Sequence, residues 1–306
     1  MKKTLVLIAV AVPTGIAVGA VDAVFGRVLL YLGAVRDAHT AWFLPFLGLI
    51  GALMAWAYKR YGAGCENGMG MVFEAGHAER EAIPLRLVPF VICATWLTHL
   101  FGGSAGGEGV AVQLAAAPEW SAELALELTA LGIVFGLTGA AFAFCLKRAK
   151  KLAQNRLKNP VLRALVMGVA LSPVLYLLYR GRYCGLGTNL INASIAGEPI
   201  YAWDWALKLA LTVLTLSAGF QGGEVTPLFS IGASLGAALA GLLGLPAAFC
   251  AALGYAAVFG SATNTLLAPA LIGAEVFGWA AAPHFFAVCA LAYAVNGGRS
   301  IYSGQK

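Results

Sequence analysis

Two carboxylates set among glycines are the residues of this chain best placed to do chemistry. Glu108 stands in GGSAGGEGVAVQ, Gly102 to Gln113, at the end of a run of 21 residues from Leu87 to Gly107 without a formal charge. Glu224 stands in GGEVTPLFSIG, Gly222 to Gly232. An ionisable residue at membrane depth is costly and marks a function by default. Glycines beside it let the backbone bend sharply, expose N–H groups and start a new helix whose N-terminus favours an anion. The chemistry implied is an anion site with a protonatable group at its edge. A plain structural role is open to the same residues, since Glu108, Glu224 and Thr226 can each serve only as a helix cap.

The elements that must position them are membrane helices. The chain of 306 residues is 60% hydrophobic and 11% charged, with a mean hydropathy of +0.81, whereas soluble domains carry roughly 25% charged residues. Thr4 to Val21, Ala41 to Tyr58, Leu128 to Leu146, Ala164 to Tyr179 and Val276 to Gly298 are uncharged runs near or above the roughly 17 to 25 residues of a crossing helix. An all-α polytopic membrane protein follows, forming one membrane domain over residues 1–306. Apolar sequence continues through Val35 without a small-residue cleavage site, so the first span is expected to stay rather than leave as a signal peptide.

Composition also excludes several function classes. The net charge of +6 gathers at span ends, most densely in Lys147, Arg148, Lys150, Lys151, Arg156 and Lys158. That pattern reports a cytoplasmic loop, and with Lys2 and Lys3 a cytoplasmic N-terminus, and gives no case for nucleic acid. The six cysteines are scattered through apolar sequence as small core residues, with neither a disulfide framework nor a zinc site. No His/Cys/Asp cluster has metal spacing and no glycine motif carries the lysine of a phosphate-binding loop. The chain is therefore expected to be no enzyme, and to need no metal or cofactor.

In chain order, a first helix over Thr4 to Val35 carries Pro13, Asp22 and Arg27 and is expected to be tilted or bent. A second covers Ala41 to Tyr58, and a short re-entrant helix near Asn67 or a plain connector follows. Ile83 to Phe101 leads into the Glu108 motif, with His99 one turn before it as a proton relay or a packed interface residue. A helix opened at Glu108 closes by Pro118. Ala122 to Gln154 is one long helix and Pro160 to Tyr179 the next. Cys184 to Pro199 is glycine-punctuated and partly apolar, a second re-entrant candidate. Trp203 to Phe220 precedes the Glu224 motif. Glycines and prolines then divide the uncharged stretch from Val225 to Ala274 into helices over Pro227 to Leu243, Pro246 to Phe259 and Asn264 to Gly273. The last helix spans Pro283 to Val295. Broken helices at matching places in two halves are the sequence sign of a transporter built from repeats.

At its two motifs the chain resembles the CLC chloride channel and transporter family, and in particular its fluoride-exporting branch. The first motif here reads Gly106-Gly107-Glu108-Gly109-Val110, with Gly107 where the family usually has Arg or Lys. The second, Gly222-Gly223-Glu224-Val225-Thr226-Pro227, carries Glu224 and Thr226 where chloride-type members have apolar residues. Met69, in Asn67-Gly68-Met69-Gly70, occupies the place of the methionine of the fluoride branch, with Met71 as the competing alignment. Tyr302, in GGRSIYS, matches the ion-lining tyrosine.

The resemblance implies an inverted repeat of broken and re-entrant helices, over residues 4–118 and 119–302. It makes Glu108 the external gate for anion and proton, gives Glu224 a part in coupling, and assigns Met69, Thr226 and Tyr302 to the ion. Backbone N–H groups near Gly106, Gly107, Gly109, Gly222 and Gly223 would supply donors. The activity implied is fluoride/proton antiport in the inner membrane, between lipid neighbours, by a homodimer. Chloride or another small anion is the alternative within the family, and a non-transporting scaffold or remnant the alternative outside it. Only 115 residues separate the two acids, far fewer than is usual in the family. The first repeat therefore lacks its end, including part of what makes the family's dimer interface and one wall of its ion path.

Overall fold

The computed structural model describes residues 2–62, 84, 86–103 and 117–302, with side chains from residue 19 onward except residue 22. Among these residues there are helices and no strand. The first group comprises α1 (Lys2–Ala38), α2 (Thr40–Phe43), a 3-10 turn (Leu44–Phe46), α3 (Leu47–Tyr61) and α4 (Leu87–Leu100). After residue 117 come α5 (Ala122–Arg156), α6 (Pro160–Leu177), α7 (Thr188–Ala196), α8 (Asp204–Ala218), α9 (Val225–Leu243), α10 (Ala247–Thr263), α11 (Leu267–Phe277) and α12 (Ala282–Val295). Thr40–Tyr61, α5, α6 and α9 are long and apolar enough to cross a membrane.

Local sequence sets the ends of these helices. Ser121 Oγ accepts from the Leu124 amide at 3.0 Å and opens α5. Asn159 Oδ1 accepts from the Val161 amide at 3.0 Å and opens α6, with Pro160 at its first position. Both are ordinary N-caps. Gly219 and Gly244, at φ +98° and +69°, close α8 and α9 in the left-handed conformation that suits glycine at a helix end.

Three boundaries shift. The first helix runs from Lys2 to Ala38 rather than from Thr4 to Val35. The helix expected to begin at Asn264 begins at Leu267, because Asn264 adopts φ +54° as the cap of α10 and the Thr265 amide returns to the Gly260 carbonyl at 2.9 Å. The uncharged run from Val276 to Gly298 is no single crossing, since Gly278, at φ +108°, divides α11 from the 3-10 turn and α12 that follow. The segment from Cys184 to Pro199 holds only the nine residues of α7, too short to cross.

Two apolar clusters form the interior. One gathers α9, α10, α11 and α12 against α5, and the other gathers the 3-10 turn, α3, α4 and α6 around Tyr183 and Phe220. α7 and α8 lend residues to both, Ile191 and Leu216 to the first and Leu190 and Leu211 to the second. α10 is buried at every residue from Phe249 to Thr263 but Phe259. Glycines let its backbone lie directly against α9: a Cβ added at Gly232 would strike the Gly254 carbonyl oxygen, and one at Gly254 would strike that of Gly232. Close approach at small residues is how membrane helices gain packing energy in a solvent as apolar as themselves. Large apolar side chains such as Trp42, Leu126, Leu137, Leu177 and Leu242 stand exposed, as in helices that face lipid.

Candidate functional site

The Glu224 motif folds as a helix start. After Gly219 the chain passes Gly222 and Gly223 and enters α9, with Glu224 as its N-cap. The amides that open the helix are thus those of Val225 and Thr226, not those of the two glycines. Pro227, third in the helix, has a fixed φ and no N–H to leave unpaired. Thr226 is buried at 1% exposure. Glu224 makes no side-chain cap bond; its Oε1 lies 3.6 Å from Lys150 Nζ, on α5.

Tyr302 is brought to the same place by a hook of polar bonds after α12. Fully buried Asn296 donates from Nδ2 to the Ser261 carbonyl at 2.8 Å and accepts the Arg299 amide on Oδ1 at 3.0 Å. Ser300 Oγ donates to the Thr263 carbonyl at 3.3 Å, and the Ile301 amide donates to the Ala262 carbonyl at 2.9 Å. The end of α10 therefore sets the position of Tyr302. Burial raises the pKa of its phenol, and the nearby charge of Glu224 raises it further. Asn296→Ala is expected to remove its bonds to the Ser261 carbonyl, which keeps the Asn264 amide as a donor at 3.1 Å, and to the Arg299 amide, at a cost of about 1–3 kcal/mol. A lower melting temperature together with weaker fluoride affinity in detergent titrations checks it; lost stability with unchanged affinity would separate the hook from the site.

Met69, Glu108, Gly106, Gly107 and Gly109 lie outside the described residues. The approach to Glu108 is described as far as Gly103. Gly102 has φ +87°, and the Gly103 amide donates to the Thr98 carbonyl at 2.8 Å. His99 is buried, with ring Nδ1 2.7 Å from the Thr95 carbonyl one turn back. The Gly185 amide donates to the Gly103 carbonyl at 3.2 Å, while Lys208 Nζ donates to the Gly185 carbonyl at 2.7 Å and to that of Tyr183 at 3.1 Å. A buried lysine on α8 and the chain ahead of Glu108 thus grip the same peptide segment.

The helix expected over Trp203 to Phe220 is α8, and its polar face was not singled out from the sequence although its signal was present. Asp204, Lys208, Thr212 and Thr215 recur at helical spacing in an otherwise apolar segment, and all four are fully buried. Asp204 accepts from Arg182 Nη2 at 2.7 Å, from the Tyr183 hydroxyl at 2.6 Å and from the Tyr201 amide at 3.1 Å. Its hydrogen bond raises the pKa of Arg182; burial first, and then the bond to Asp204, raises that of Tyr183. Among the described residues no group of His, Cys, Asp and Glu is arranged to hold a metal ion.

Known proteins share this fold. A family model described as voltage gated chloride channel matches residues 50–119 and 117–297. A chloride/fluoride channel protein of Pseudomonas syringae pv. tomato (strain ATCC BAA-871 / DC3000) is 29% identical over 381 aligned residues, covering 94% of this chain and 83% of the relative. That alignment is longer than this chain, so the relative carries interior residues that the chain lacks, and the two family matches meet at residues 117–119. The crystal structure of a CLC-type fluoride/proton antiporter superposes with a TM-score of 0.94 at 39% identity, over 95% of each chain. A slow cyanobacterial Cl−/H+ antiporter shares the fold, with a TM-score of 0.80 at 16% identity over 96% of this chain and 95% of its own. The helix start at Glu224, the tyrosine hooked beside it and these matches lead to one conclusion: the chain is a multi-pass membrane protein of the voltage gated chloride channel (CLC) family.

Proposed function

We propose that this chain exchanges fluoride for protons and exports fluoride across the cell membrane, with its N-terminus on the cytoplasmic side, as a transporter and not an enzyme. The observation that carries the reading is the pairing of Glu224 and Thr226 at the start of α9 with Tyr302 within electrostatic reach of Glu224. A small, strongly hydrated anion gives up its water only to several donors at once. The amides and positive dipole of α9 and the hydroxyls of Thr226 and Tyr302 are such donors. A fixed cation in direct contact would trap the ion, whereas dipoles hold it and let it go. Similarity to a chloride/fluoride channel protein and to a CLC-type fluoride/proton antiporter supports the choice of ion.

Glu108 is the proton carrier in this reading. As a carboxylate it occupies the anion path, and once protonated it leaves, so that anion and proton move in opposite directions. In proteoliposomes, Glu108→Gln is expected to retain fluoride efflux at a fluoride electrode and lose the linked proton uptake; full coupling in that variant would overturn the role of Glu108.

One observation favours a second reading. The interior residues present in the curated relative and absent here leave room for a folded family member that does not transport. Its signature is monodisperse protein with no fluoride or chloride flux above empty vesicles.

A further inference from the structure

A polar cavity of about 500 Å³ opens between the end of α1 and the loop ahead of α7. It lies at the membrane face opposite the basic cluster of α5. α6 starts beside that cluster and runs 18 residues from Pro160 to Leu177, about 27 Å at 1.5 Å per residue, which brings it close to the far side of a hydrocarbon core of about 30 Å. The loop that follows, Tyr179 to Arg182, therefore stands at the opposite interface. Aromatic rings mark the same depth. Tyr179 stacks on Tyr201 at 4.8 Å and Tyr201 on Trp203 at 5.5 Å, all three exposed, as in the belts that sit at headgroup level.

Arg36, Arg180 and Arg182 line the cavity against a single carboxylate, Asp37. Arg36 is built into the wall: it is buried, its Nη1 donates to the His99 carbonyl at 3.3 Å, and Gly185, at φ +60°, leaves room for its guanidinium where a Cβ would strike Nη1. Asp37 meets it at 2.6 Å from a side chain that is 65% exposed. Arg182 uses Nε and Nη2 on Asp204 and lies over the Tyr201 ring at 5.2 Å. Arg180, at φ +53°, makes no ion pair among the described residues. Guanidinium forks around one cavity suit the oxygens of a phosphate, and one exposed carboxylate leaves them an excess of positive charge.

Along the same stretch of chain, Val35 and His39 open an apolar groove of about 660 Å³ with Trp42, Phe43, Phe46 and Phe101. Trp42 and Phe46 are exposed, so the groove faces lipid. A cationic cavity at headgroup depth and an apolar groove thus share the turn from Val35 to Thr40, and they match the two ends of one molecule. We propose that the cavity binds the phosphodiester of an anionic phospholipid, with an acyl chain of the same lipid in the groove. Phosphatidylcholine would bring its own cation to the arginines, and free phosphate has no chain for the groove. The site stands apart from the transport chemistry and is read without it.

The test uses the full chain in detergent, titrated with phosphatidylglycerol, phosphatidylcholine or inorganic phosphate. Retained lipid is counted by native mass spectrometry while the melting temperature is followed. Phosphatidylglycerol is expected to stay bound as a discrete copy and to raise the melting temperature, phosphatidylcholine to bind about tenfold more weakly, and phosphate alone to shift nothing at the same concentration. Arg180→Asn drops the charge and keeps a residue that tolerates the left-handed conformation; it is expected to weaken phosphatidylglycerol about tenfold without changing the lipid-free melting temperature. Gly33→Trp adds bulk at a cavity wall where a Cβ meets nothing within 4 Å and is expected to weaken the lipid as well. Lys151→Gln removes an equal charge at the opposite membrane face and should bind as the wild type does.

Equal affinity for the two lipids would make the cavity part of the general lipid surface and overturn the proposal. An equal response to inorganic phosphate would make it a free-anion site and overturn it too. So would Arg180→Asn and Gly33→Trp binding no worse than Lys151→Gln.

Discussion

Asp204→Ala is expected to cost about 3–5 kcal/mol, the usual loss when one partner of a buried, hydrogen-bonded ion pair is removed. Asp204 is fully buried and holds Arg182, the Tyr183 hydroxyl and the Tyr201 amide at once. Without it the guanidinium of Arg182 keeps its charge, the phenol of Tyr183 stays at 0% exposure, and neither has the carboxylate. The consequence runs further than stability, because the segment from Tyr183 to Gly185 also bonds Lys208 and Gly103. Thermal unfolding in detergent should show a large fall in melting temperature, and what folds should transport poorly. Asp204→Asn keeps the shape and two acceptor lone pairs, so it should lose less than alanine does. Equal stability of wild type and Asp204→Ala would show that the network is ornamental.

An effect of similar or larger size is expected at the seam of α9 and α10. Gly254→Val places a branched side chain where even a Cβ would strike the Gly232 carbonyl oxygen. Overpacking a core usually costs about 1–3 kcal/mol when side chains can yield. Here the obstacle is backbone, so the two helices must separate along their length. No monodisperse protein should be recovered. Gly241→Ala is the matched control on α9, since a Cβ there meets nothing within 4 Å. It should be neutral or raise stability by up to about 1 kcal/mol through helix propensity. Fluorescence-detected gel filtration of both variants reads the difference.

The helices were legible because hydrophobic runs and their punctuation are local properties. Gly219, Gly244 and Pro160 end or begin helices where turn chemistry says they must, and the long α5 is an unbroken apolar run that ends in a basic cluster. Asn264 was misplaced because it reads equally as a helix start and a helix end; its left-handed φ and the return of Thr265 to Gly260 decide for the end. Of the candidate site, Glu224, Thr226 and Tyr302 could be named from the sequence, and the burial of Thr226 and the electrostatic reach of Glu224 to Tyr302 could not. The hook at Asn296 joins residues more than thirty positions apart, and no local pattern announces it.

The contact between Lys150 and Glu224 is the plainest case. In the sequence Lys150 is one of six basic residues in a loop, indistinguishable from Lys147 or Lys151. Only the packing of α5 against the start of α9 singles it out. The buried face of α8 differs, because Asp204, Lys208, Thr212 and Thr215 repeat at helical spacing and were open to the eye.

Simultaneous recording of fluoride and pH across proteoliposomes containing the wild-type chain tests the central claim most directly. With an outward fluoride gradient, fluoride efflux should draw protons inward, exceed chloride efflux under the same gradient, and vanish in empty vesicles. Efflux without proton movement, chloride passing as fast as fluoride, or no flux from monodisperse protein would contradict it.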